Sequence, residues 1–203
     1  MFHLLRERRE PPFDHPPQLA EYPPVSVLVP CYNESRQVEE TIAALDRVVY
    51  PDFEIIAIDD GSSDDTVARL ERLAADRPHL RVVRMARNGG KSTAMNFGAL
   101  AARHEILACI DGDTSMDPHA LTWFVRRFQN DPLVGALTGN PRIRNRTSVI
   151  GRLQVGEFSS IVGLIKRAQS VYGTLFTASG AIWAFRKRAL QDAGWWCPHS
   201  ITV

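Results

Sequence analysis

Four short apolar runs, each followed by a segment of helical periodicity, constrain this chain more than any other feature. The runs cover residues 25–30, 53–58, 80–85 and 105–110, the last reading Glu105-Ile106-Leu107-Ala108-Cys109-Ile110. Their brevity, β-branched content and flanking turn residues predict strands. After the first, Val38, Ile42 and Leu45 fall at i, i+4 and i+7; after the second, Val67, Leu70 and Leu73 share a face. A helix from Lys91 to about Arg103 follows the third, and one opened by Asp117-Pro118 and reaching about Phe128 follows the fourth. Parallel neighbours need a long crossover, usually a helix. The alternation therefore predicts an α/β fold: a Rossmann-like, mostly parallel sheet with helices on both faces.

Each predicted strand ends in a polar cluster: Tyr32-Asn33-Glu34, Asp59-Asp60, Asn88-Gly89-Gly90-Lys91, and Asp111-Gly112-Asp113. In a parallel sheet these clusters share the carboxyl edge, where open α/β sheets bind ligands. Two carboxylates flanking a glycine suit a hard divalent cation and, through it, phosphate oxygens. A lone Asp-Gly-Asp reads more readily as a turn; its recurrence with other acidic strand ends favours a site. Carboxylates repel bare phosphate, so a nucleotide diphosphate there needs a bridging cation. Lys91 adds positive charge, and Tyr32 suits stacking on a base. The residues alone equally allow a half-buried loop aromatic and a solvated lysine at a helix start. Ser62 and Asp65 form a predicted capping box for the second helix.

Other classes are excluded. Gly90-Lys91-Ser92 resembles the end of a phosphate-binding loop, but Met85 stands where that motif needs its first glycine. No strand leads into G-x-G-x-x-G, the dinucleotide fingerprint. A net charge of +1 argues against a nucleic-acid surface. No stretch reaches the ~18–20 apolar residues of a membrane-crossing helix, and Arg6, Arg8 and Arg9 interrupt any secretory signal. Cys31 and Cys109 lie in or beside apolar runs and, with Cys197, lack C-x-x-C spacing, which makes them reduced packing residues. Residues 1–24 hold six prolines and no period, and read as a Pro-rich linker. Further on, residues 147–170 read as a long helix and residues 176–185 as an apolar stretch with small residues.

Val27-Leu28-Val29-Pro30-Cys31-Tyr32-Asn33-Glu34, Asp59-Asp60-Gly61-Ser62, Gly90-Lys91 and Asp111-Gly112-Asp113 resemble family 2 glycosyltransferases with the GT-A fold. Thr138-Gly139-Asn140-Pro141-Arg142-Ile143-Arg144, Gln154 to Ser160, Gly163 to Arg167 and Ala178-Ser179-Gly180-Ala181 look like the processive poly-β-1,6-N-acetylglucosamine synthases of bacterial biofilms. The resemblance implies that residues 25–203 are the donor-binding, N-terminal part of a catalytic domain that is incomplete at its C-terminal side. It implies that Tyr32, Glu34, Asp59 and Asp60 hold the uridine, Lys91 the uracil or diphosphate, and Asp111 the ribose or metal. Asp113 would ligate Mg2+ or Mn2+, and Ser179 and Gly180 would lie near the acceptor sugar.

The reaction implied is inverting transfer of N-acetylglucosamine from UDP-N-acetylglucosamine to a growing polysaccharide. The family's general base is the aspartate of a Thr-Glu-Asp motif. Here Val203 stands where its glutamate would be, so the base is expected beyond Val203 and the chain alone is expected to make little polymer. A catalytically inactive nucleotide-sugar-binding fragment, or a transferase acting on a lipid-linked acceptor, is the alternative. By resemblance, the domain faces the cytoplasm at the bacterial inner membrane. It would be held there by segments absent from this chain, with a membrane protein as a possible partner and no nucleic acid.

Overall fold

The computed structural model describes residues 15–112, 114–139 and 181–198. The predicted helix over 147–170 and the sites Asp113, Ser179 and Gly180 lie outside them. The first predicted strand is β1 (Val25–Cys31), followed by α1 (Val38–Leu45). Then come β2 (Phe53–Asp59), α2 (Thr66–Ala75), β3 (Leu80–Arg84), α3 (Lys91–Ala101), β4 (Ile106–Ile110) and α4 (Ala120–Asn130). All four predicted strand–helix units form. Among the described residues three shorter elements follow: β5 (Ala136–Thr138), β6 (Ile182–Arg186) and α5 (Lys187–Asp192).

Strand pleating sorts the side chains into two cores, since successive residues point to opposite faces. Val25, Val27, Val29 and Cys31 pack with α1 (Ile42, Leu45), α2 (Leu70) and α4 (Leu121, Val125, Phe128). Leu28, Ile56 and Ile58 pack on the other side with α3 (Ala94, Met95, Ala99) and Leu190 of α5. Both faces are covered, so these strands are apolar along nearly their whole length. Cys31 and Cys109 are buried free thiols, and burial pushes both well above the usual thiol pKa. Cys197 is exposed.

The strand order is β3-β2-β1-β4-β6-β5. Strands β3, β2, β1 and β4 run parallel, with Cys31 level with Asp59 across β1 and β2. The chain steps outward from β1 to β3 and then returns to the opposite side of β1. That reversal opens a crevice between the carboxyl ends of β1 and β4. Strand β6 runs antiparallel to β4 and places Trp183 opposite Cys109.

Residues 15–24 have no helix or strand, as a proline-rich segment predicts, yet they lie on the domain. Leu19 packs against the first core. Tyr22 meets the Tyr50 ring at 5.7 Å, and the Tyr50 hydroxyl donates to the Pro23 carbonyl at 2.7 Å. Burial first, then Tyr22 and Asp52, pushes that hydroxyl's pKa up to about 12.

The capping box does not form. Asp65 stands at the N-cap of α2 without a side-chain bond to the helix. Ser62 Oγ is taken by the Asn33 N–H at 3.0 Å, and Asp64 Oδ1 receives the Thr66 N–H at 3.0 Å instead. Ser62 is drawn across to the β1 loop, a contact from far away in sequence that outcompetes the local one.

Candidate functional site

A cleft of about 370 Å³ opens at the carboxyl edge of the sheet, over the β1/β4 crevice. Tyr32, Glu34, Asp60, Asn88, Gly90, Lys91, Asp111 and Gly112 line it, over a floor of Pro30, Cys31 and Ala94. Five of the predicted site residues, delivered by four separate loops, therefore meet in one place. Tyr32 stands half-exposed at the rim, its ring open to a ligand.

Asp60 is the best-fixed acid of the cleft. Its side chain is buried, its N–H donates to the Cys31 carbonyl at 2.9 Å, and its Oδ1 accepts the Gly89 N–H at 2.7 Å. Asp60 thus spans β1, β2 and the loop that opens α3. Asp59 stands apart. It is 1% exposed, does not line the cleft, and turns both oxygens to the Ser62 N–H at 3.3 Å. Its place is beneath the loop, as a brace.

The loop after β1 is clipped to the loop after β2. Asn33 sits at φ +52, a left-handed conformation that asparagine tolerates, and its Oδ1 accepts the Ser63 N–H at 2.9 Å. The Glu34 N–H donates to the buried Thr66 hydroxyl at 2.9 Å, and the Ser35 N–H to Asp64 at 3.2 Å. The Thr66 hydroxyl in turn donates to Asp64, and that bond first, with the Ser35 contacts, holds the Asp64 pKa down to about 2.

Thr66→Val, which keeps the shape and removes the hydroxyl, is expected to cost about 1–2 kcal/mol. It should also let the Asp64 pKa climb back toward the ordinary carboxylate range. A carboxyl chemical-shift titration reads the second effect; an Asp64 pKa still near 2 in the variant would contradict the assignment.

Asp111 ends β4 and points its carboxylate at Lys91, whose Nζ lies 2.6 Å from Oδ1. The same ammonium sits 5.0 Å from the centre of the buried Trp183 ring. The turn beyond is tight: the Thr114 N–H donates to the Asp111 carbonyl at 3.0 Å, and the Thr41 hydroxyl donates to the Gly112 carbonyl. A Cβ on Gly112 would meet the Glu34 carboxylate, so glycine is what lets that acid reach the β4 end.

Sequence reasoning gave Trp183 no place in the site, and named Asn33 and Gly89 only as members of their loop clusters. Asn33 carried a local signal, since asparagine is enriched at left-handed positions. Trp183 carried none, because its place depends on β6 pairing with β4.

Hard carboxylate oxygens at a solvent-open edge suit Mg2+ or Mn2+, which take most of their remaining ligands from water and phosphate. Asp111 already pairs with a cationic group, the Lys91 ammonium. Among the described residues, no three His, Cys, Asp or Glu side chains form a complete cage. A site that draws on substrate phosphates does not need one.

The family described as Glycosyl transferase family 2 matches residues 26–194. The poly-beta-1,6-N-acetyl-D-glucosamine synthase of Staphylococcus epidermidis is 41% identical over 178 residues, covering 88% of this chain and 43% of that protein. The chain thus spans less than half the length of the curated relatives it matches. The mannosyltransferase PcManGT from Pyrobaculum calidifontis, solved with GDP-Man and Mn2+, aligns with a TM-score of 0.68 and 25% identity, over 98% of this chain and 55% of that one. S. aureus TarS 1-349, solved with UDP-GlcNAc, aligns with a TM-score of 0.59 and 20% identity, over 84% and 48%. That second likeness is one of fold.

Proposed function

The chain belongs to glycosyltransferase family 2 and has its GT-A fold, and from that premise we propose that the β1/β4 cleft binds the nucleotide-sugar donor of a polysaccharide synthase. The observation that carries the reading is the convergence of Tyr32, Glu34, Asp60, Lys91 and Asp111 from four loops. The donor is UDP-N-acetylglucosamine and the acceptor a growing β-1,6-linked polymer, as the name of the Staphylococcus relative suggests.

In this reading Tyr32 stacks on the uracil, while Asp60 and Glu34 accept hydrogen bonds from the uridine. Asp60 has one oxygen committed to Gly89, which fixes the carboxylate and leaves the other for the ligand. Asp59 acts through the loop it braces. Lys91, on the first turn of α3, reaches the diphosphate, and the family resemblance assigns Ser179 and Gly180 to acceptor binding. Asp111 and Asp113 would hold Mg2+ or Mn2+, which supplies Lewis-acid stabilisation of charge on the departing UDP.

An acceptor hydroxyl oxygen forms the new bond to the anomeric carbon. The carbon–phosphate oxygen bond breaks on the opposite face, and its electron pair leaves with UDP. The hydroxyl proton passes to a general base. Among the described residues no helix is long and apolar enough to cross a membrane. The cytoplasmic face of the bacterial inner membrane is the location this reading assigns.

Titrating UDP into the chain by calorimetry, with and without Mn2+, tests the donor site. We expect metal-dependent binding, weakened about 10- to 100-fold by Asp60→Asn, since a hydrogen bond to a charged group contributes about 1.5–3 kcal/mol. The amide oxygen can still accept the Gly89 N–H, so the fold should survive. A folded chain that binds no UDP with Mn2+ present would sink the proposal.

A further inference from the structure

The geometry points to a cation exchange at Asp111: Lys91 and the divalent ion compete for one carboxylate, and metal binding releases Lys91 toward the donor phosphates. This rests on the reading of Asp111 as a metal ligand. The Lys91 ammonium lies 2.6 Å from Asp111 Oδ1, in direct hydrogen-bond contact. Mg2+ takes oxygen ligands at about 2.0–2.1 Å, so an ion on that oxygen would stand only a few ångströms from the ammonium, and the two positive charges compete for the carboxylate. Even on the second oxygen, a divalent ion would sit within a few ångströms of the ammonium and repel it through a partly desolvated medium.

A second contact makes the exchange orderly. The ammonium also lies 5.0 Å from the centre of the Trp183 ring, close enough for cation–π attraction. Trp183 is 2% exposed and held opposite Cys109 in the β4–β6 ladder, so this partner does not move with the lysine. Trp183 thus gives Lys91 a fixed neighbour that does not depend on Asp111. Lys91 stays at the start of α3, beside the Gly90 and Asn88 edge of the cleft, where a diphosphate held by the metal would meet it. Lysine suits this task better than arginine: its ammonium is a compact charge on a flexible stem, whereas a guanidinium clamps a carboxylate in a fixed fork.

Lys91→Met, which keeps the stem over Trp183 and removes the charge, separates the two roles. With MnCl2 as the only ligand, we expect the variant to bind Mn2+ about 1.5- to fivefold more tightly than the parent chain, the range for losing a partly exposed competing ion pair. Its UDP affinity in saturating Mn2+ should fall. Far-ultraviolet circular dichroism and a melting curve confirm that the variant folds, and Asp111→Asn is titrated alongside. If Mn2+ binds both chains equally, or the variant more weakly, while Asp111→Asn abolishes binding, the exchange is overturned and the metal site stands. If Asp111→Asn binds Mn2+ as the parent does, the metal assignment fails and the exchange with it. No Mn2+ binding by Lys91→Met also overturns the exchange.

Discussion

Gly61→Ala is expected to destabilise the domain by about 3 kcal/mol or more, a large share of the roughly 5–15 kcal/mol that holds a domain of this kind together. Gly61 sits at φ +68, where a side chain is strained. A Cβ there would also lie 2.5 Å from both the Arg87 carbonyl carbon and the Asn88 nitrogen. Those are backbone atoms, so no rotamer change relieves the clash. The loop after β2 or the loop after β3 must move, and the Asp60–Gly89 hydrogen bond joins the two. The variant should therefore lose both stability and UDP binding. Urea denaturation reads the first and calorimetry the second. A midpoint shift worth less than about 1 kcal/mol would show that the loops are softer than this packing implies.

Glu54→Ala is expected to cost about 2–4 kcal/mol, at the opposite edge of the sheet and away from the cleft. Glu54 is a buried acid near the start of β2. It accepts the Ser26 hydroxyl at 2.8 Å, the Arg81 guanidinium at 2.7 Å and the Arg103 N–H at 2.8 Å. Removing it leaves Ser26 and the Arg103 amide without their acceptor and Arg81 without its counter-charge. The estimate falls short of a fully buried pair because the Arg81 side chain is 33% exposed and partly screened.

The effect carries a pH signature. Burial alone pushes the Glu54 carboxyl upward, but the Arg103 N–H, the Arg81 guanidinium and the Ser26 hydroxyl outweigh it, and the pKa lies below the usual glutamate value. A depressed folded-state pKa contributes stability that is complete above the unfolded-state value, about 4.3, and lost as pH falls through the folded value. The gap between wild type and Glu54→Ala should thus be full at neutral pH and narrow in acid. Urea midpoints collected between about pH 7 and pH 3 measure it; a constant gap would refute the assignment.

Each predicted strand–helix unit is present because its signals are local: short continuous apolar runs in β1 and β2, a helical face in α1 and α2, and turn residues between them. Once strands alternate with helices, handedness and crossover length leave few topologies, so the shared edge of Tyr32, Asp60, Lys91 and Asp111 follows from chain order alone. The finer placements do not. Asp59 and Asp60 are adjacent and chemically alike, yet one braces Ser62 from below while the other lines the cleft. The end of β2 and the loop pulled over it decide which is which.

Ser62 and Asp65 have the spacing of a cap, and a hydrogen bond from Asn33 overrides it. Trp183 reaches Lys91 only because β6 enters the sheet antiparallel to β4. The α/β alternation and the edge where the polar clusters meet were legible in the residues, since both rest on patterns within a few turns of chain. Packing across the sheet decided which acid lines the cleft and which ring backs the lysine. Those contacts join segments far apart in sequence, and their geometry is set by packing that no local pattern encodes.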